Sequence, residues 1–115
     1  MGGIKVGYAR VSSHAALDRI RQLQALQRAG VTSEHIWTDV GLAGRPRELS
    51  GRDAALASLR DLDRPVLVTT SWARLARSQG DLLSVLDRLI DARSALIIYG
   101  QRHPRPSLIH LQQAL

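Results

Sequence analysis

Apolar positions along the chain recur with two periods, one that suits strands and one that suits helices. Ile4-Lys5-Val6-Gly7-Tyr8-Ala9-Arg10 alternates and predicts an opening strand. From Ala15 to Ala29, Leu17, Ile20, Leu23 and Leu26 recur at helical spacing, and Gly30 supplies a stop. His35-Ile36-Trp37-Thr38 predicts a short second strand. Gly41 to Gly51 holds three glycines, Pro46 and three charged residues, which predicts a long mobile loop. A helix is expected from about Arg52 to Leu62, with Leu56 and Leu59 inward. Pro65-Val66-Leu67-Val68-Thr69-Thr70 is apolar on both faces and β-branched, as a central parallel strand requires. A helix from about Gln79 to Ala92, with Leu82, Leu86, Leu89 and Ile90 as its buried stripe, leads to a last strand, Ala95 to Tyr99.

Strands alternating with helices predict an α/β fold: a mostly parallel central sheet of four to five strands, with helices on both faces. Residues 1–103 are expected to form this domain. After Pro104 and Pro106, residues 104–115 read as the start of a C-terminal helix, cut off by the chain end. Ligands of open parallel sheets sit beyond the carboxyl ends of the strands. That rule singles out the segments after Tyr8, Thr38, Thr70 and Tyr99.

Composition narrows the function classes. The 115 residues are 44% hydrophobic, enough for one packed core. Cys 0 excludes thiol chemistry and suits a reducing cytoplasm, and the N-terminus lacks a secretory pattern. No apolar run reaches membrane-span length. The net charge of +6 favours a polyanionic partner such as nucleic acid, with Lys5 the only lysine. Arginine grips phosphate with a planar fork, although codon bias explains the preference equally well. His14, His35, His103 and His110 are scattered, so no metal site is expected. Trp37 and Trp72 are assigned to core packing rather than to base stacking. The first strand is not followed by a glycine-rich dinucleotide or phosphate loop.

Two strand-end segments carry chemistry. In Tyr8-Ala9-Arg10-Val11-Ser12-Ser13, alternation projects Tyr8, Arg10 and Ser12 from one face. A hydroxyl beside a guanidinium suits attack on a phosphodiester. The spacing alone favours the plainer reading, in which the serines end a strand and cap a helix. In Ser71-Trp72-Ala73-Arg74-Leu75-Ala76-Arg77-Ser78, Arg74 and Arg77 would share one side of a helical turn. That makes either a phosphate clamp or a solvated basic face, and spacing does not choose.

These segments, in this order, resemble the catalytic domain of the resolvase/invertase serine recombinases. Tyr8 to Ser13 is similar to the opening signature of that family, and Gln22 to Gly30 to its first helix. Ile36-Trp37-Thr38-Asp39 with Gly41-Leu42-Ala43-Gly44 resembles its second strand and mobile loop. Leu67-Val68 followed by Arg74-Leu75-Ala76-Arg77-Ser78 resembles its paired-arginine motif. The likeness runs from about Ile4 to Tyr99. It implies site-specific recombination of double-stranded DNA without metal or other cofactor. The serine joins the 5′ phosphate and frees a 3′ hydroxyl, subunits exchange within a tetramer, and the hydroxyls rejoin the strands. On that pattern Ser12 is the nucleophile, with Ser13 as fallback, and Arg10, Arg74 and Arg77 surround the phosphate. Tyr8, Gln22 and Asp39 support the site, and Arg52 or Arg47 fills the place of a further loop arginine.

The chain departs from that pattern twice. Ala73 stands where the family carries an aspartate, which implies a clamp that keeps its charge but loses order. The family continues into a long helix and a helix-turn-helix domain, for which no room is expected after Pro106. Two rivals to the enzyme follow. One is a catalytically impaired module acting through subunit association. The other is a flavodoxin-like domain for a phosphorylated ligand, disfavoured by the missing glycine-rich loop.

Overall fold

The computed structural model describes residues 3–12, 15–41, 49–104 and 106. The strands are β1 (Lys5–Ser12), β2 (Ile36–Gly41), β3 (Val66–Thr69), β4 (Ala95–Ile98) and β5 (Gln101–His103). The helices are α1 (Ala16–Arg28), α2 (Ser50–Leu59), α3 (Trp72–Leu75) and α4 (Gln79–Asp91), with a 3-10 turn at Ser33–His35. One sheet runs in the order β2-β1-β3-β4-β5, parallel except for the β4–β5 pair. The expected α/β class, strand number and mostly parallel sheet are all present. The short β5 and α3 add to the expected elements. β5 arises because Tyr99, with a φ of +36°, turns the chain straight back beside β4.

β1 lies inside the sheet, between β2 and β3, and its residues from Val6 to Ala9 are buried on both faces. Val6 and Tyr8 face one core layer, with Ala55, Leu56 and Leu59 of α2 and Leu82, Val85, Leu86 and Leu89 of α4. Ala9 faces the other, with Leu26 of α1 and Val66 and Val68 of β3. The helices thus cover opposite faces. The chain leaves β1 toward β2 on one side and returns to β3 on the other, so the strand order reverses between β1 and β3. A parallel sheet opens a crevice at such a reversal, beyond the carboxyl ends of the two strands.

Two predicted stripes are corrected. Leu17 and Ile20 are 58% and 51% exposed, whereas Leu26 of the same stripe is buried and Gln22 joins it on the inward side. The inner face follows Asp18, Gln22 and Leu26 at a spacing of four, so it becomes polar where α1 passes the end of the sheet. In α4, Val85 is buried and Ile90 is exposed. Trp37 is also exposed, because β2 is an edge strand. Trp72 packs as expected, half-buried against the core and tilted against His103. α1 ends as predicted at Gly30, whose φ of +97° suits only glycine, and Lys5 Nζ caps the Ala29 carbonyl at 2.6 Å. The predicted loop around 42–48, with Arg47, lies outside the described residues, as do Ser13, His14 and the C-terminal helix expected after Pro106. No helix among the described residues is long and apolar enough to cross a membrane.

Candidate active site

The reversal point brings the tip of β1 against α3. Ser12, the last residue of β1, is exposed. Two residues earlier, the Arg10 guanidinium donates to the carbonyl of Ala73 and, from Nε at 3.3 Å, to that of Arg74. Arg74 reciprocates: its Nη1 donates to the Arg10 carbonyl at 2.9 Å. Gln22 Nε2 donates to the same carbonyl at 2.9 Å. One backbone oxygen therefore gathers side chains from α1 and α3. Ser71 orients α3 by accepting from the Arg74 N–H at 3.2 Å.

On the α1 side, Arg74 Nη2 lies 3.0 Å from Asp18 Oδ2, and Gln22 Nε2 donates to that same oxygen at 3.0 Å. Among the described residues, Asp18 is the carboxylate paired with Arg74, while Arg10 pairs with none. Ala73 brings no acid to this arginine, yet the arginine has one. The acid comes from a different element.

Arg77 is not on the same helical turn as Arg74. α3 ends at Leu75, and Ala76 is extended, with φ of −140° and ψ of 152°. Arg77 turns toward Asp81 instead, its backbone N–H donating at 2.8 Å and its Nε lying 3.9 Å from Asp81 Oδ2. Arg52 reaches the same carboxylate from α2. Its Nη1 and Nη2 form a two-pronged pair with Asp81, both at 2.8 Å, and Nη1 also donates to the Leu75 carbonyl at 2.9 Å. The Arg52 bond, outweighing burial, draws the Asp81 carboxyl down to about 2. On the guanidinium the order is reversed: burial opposes its charge most strongly, yet Asp81 still raises its pKa.

Asp39 and Tyr8 form a third cluster. The Tyr8 hydroxyl donates to Asp39 Oδ2 at 2.7 Å, and Asp39 accepts the N–H groups of Gly51 and Arg52 at 2.8 and 2.9 Å. A carboxylate at the first turn of α2 is favoured by the unpaired amides and the helix dipole. Gly51 permits the approach, since a Cβ there would sit 2.6 Å from the Thr38 carbonyl. Burial, then the bond to Asp39, pushes the Tyr8 phenol far above the usual tyrosine range. Tyr8 thus keeps its proton in the bond to Asp39.

Of the residues singled out in the sequence, Arg10, Arg74 and Gln22 meet at the β1 tip that ends in Ser12. Tyr8 and Asp39 lie behind it, holding β2 to α2. Arg52 and Arg77 converge on Asp81. Two carboxylates escaped the sequence reading, and both carried a signal. Asp18 precedes Gln22 by one helical turn, and Ser78-Gln79-Gly80-Asp81 has capping-box spacing, with Ser78 Oγ accepting from the Asp81 N–H at 3.1 Å. No match was found among curated proteins. Residues 5–108 match the family model described as Resolvase, N terminal domain.

Proposed function

The chain belongs to the resolvase N-terminal domain family, and from that membership we propose that it cuts and exchanges strands of double-stranded DNA with Ser12 as nucleophile. The Ser12 oxygen attacks the scissile phosphorus as its proton leaves to solvent. The P–O bond to the 3′ oxygen breaks, that oxygen takes up a proton, and a 5′-phosphoserine ester remains. Rejoining is the reverse, with a 3′ hydroxyl displacing the serine. Arg10 and Arg74 neutralise charge growing on the non-bridging oxygens, and Arg77 approaches from beyond Ala76. Gln22 holds the Arg10 backbone, while Tyr8, Asp39 and Arg52 brace the surrounding elements. Arg47 is the better candidate for the loop arginine, since the fork of Arg52 is taken by Asp81.

One observation carries this reading: an exposed serine ends the strand on which Arg10 gathers Arg74 and Gln22 around a single carbonyl. The test is incubation with supercoiled DNA bearing the crossover site, followed by denaturation and a search for protein joined to DNA. The expected result is an adduct mapping to Ser12 and lost in Ser12→Ala. An adduct that survives Ser12→Ala would refute the assignment.

A second reading, a module that acts by associating with other subunits, is favoured by the exposed Leu17 and Ile20 of α1. Sedimentation decides it. Self-association that weakens in Leu17→Ser/Ile20→Ser supports this reading, and a wild-type monomer at all concentrations removes it.

A further inference from the structure

We propose that Asp18 is the positioning residue of this site: it aims Arg74 at the scissile phosphate, the task that no side chain at Ala73 can perform. The inference rests on the strand-exchange reading above. It arises from a chain of contacts that begins on α1 and ends on the tip of β1. Asp18 Oδ2 binds Arg74 Nη2 and Gln22 Nε2, each at 3.0 Å, and those two side chains both donate to the Arg10 carbonyl at 2.9 Å. Asp18, Gln22, Arg74 and the Arg10 backbone thus close a ring.

A guanidinium on a flexible stem points in many directions. Two fixed acceptors on different elements reduce them to one. The Arg10 carbonyl fixes Nη1, and the Asp18 carboxylate fixes Nη2. Arg74 Nε and Arg10 Nη1 then have no partner among the described residues, so both remain available to an incoming phosphate. The carboxylate also suits this place for its charge. Arg21, Arg28 and Arg74 line the groove that Asp18 shares, with the Arg10 guanidinium bonded to the Ala73 carbonyl beside it, and an acid there offsets their mutual repulsion without covering them. Asp18 and Arg74 keep 32% and 38% of their side chains exposed, so the pair remains open to a ligand. Asp18 reaches the phosphate only through Arg74.

A double-mutant cycle on the rate of adduct formation tests this. Asp18→Asn keeps the size and removes the charge. Alone it is expected to slow the covalent step about ten- to a hundredfold, as a loosened positioning group does, with DNA affinity nearly unchanged. In an Arg74→Gln background it should add nothing, because Asp18 acts through that arginine. Ala73→Asp, which offers a carboxylate from the neighbouring residue, should recover part of the loss. Losses that multiply across the cycle, or a wild-type rate in Asp18→Asn, overturn the proposal. A second measurement separates it from the strand-exchange reading. If no variant forms an adduct, that reading fails, and the ¹⁵N spectrum of the Arg74 guanidinium still decides the role of Asp18. Distinct Nη signals that merge in Asp18→Asn support it. Signals already merged in the wild type overturn it.

Discussion

Two arginine–aspartate pairs meet at adjacent residues of α3, Arg74 and Leu75, and have similar lengths, yet they do opposite work. Arg52 and Asp81 meet at 2.8 Å with side chains only 9% and 16% exposed. Arg74 and Asp18 meet at 3.0 Å at the water's edge. The buried pair ties α2 to the start of α4 and to the last carbonyl of α3, with both prongs of its fork occupied. The exposed pair orients one cation and leaves donors unused. A buried pair commits the protein to a structure, whereas an exposed one can serve a ligand that arrives later.

Breaking the buried member should give the largest effect. Asp81→Ala strands the Arg52 guanidinium in the core and frees the Arg77 amide. It is expected to lower the unfolding free energy by about 3–5 kcal/mol in urea melts. A loss below about 1 kcal/mol would mean the brace is dispensable. Acid should reproduce part of this. Asp81 carries its lowered pKa only in the folded chain, so its contribution is full above the ordinary value of 3.8 and fades as pH falls through about 2. The part lost is about 2 kcal/mol and should be missing from the acid titration of Asp81→Asn. Tyr8→Phe, which removes one of three donors to Asp39, should cost about 1–2 kcal/mol by the same melts. Asp18→Asn should change stability by no more than about 0.5 kcal/mol, since an exposed ion pair contributes little. A large loss there would place Asp18 with Asp81 and erase the contrast.

The layered fold was legible because its core obeys simple periods. Val66 to Thr69 is apolar on both faces and sits in the sheet's interior, as its composition demands. Legibility declined wherever polar contacts displaced hydrophobic ones. On α1 the leucine stripe includes Leu17 and Ile20, but the inward face runs through Asp18, Gln22 and Leu26, because toward the end of the sheet the helix meets the Arg10 carbonyl instead of side chains. Arg74 and Arg77 share helical spacing in the sequence. A serine cap at each end, Ser71 and Ser78, divides that stretch into two helices and sends the arginines to different carboxylates. Arg52 is a candidate on the sequence, but its partner Asp81 is 29 residues away and no local pattern joins them.

The extended backbone at Ala76 has a consequence for the distance between Arg74 and Arg77. In an unbroken helix their separation would be a property of the helical pitch, the same in every protein. Here the backbone between them passes through an extended residue, so the span also depends on two torsion angles that substitution at position 76 can change. Glycine there would widen the range of spans, whereas proline would pull φ to about −65° and remove the Ala76 N–H bond to the Trp72 carbonyl, shifting the span without touching a charged group.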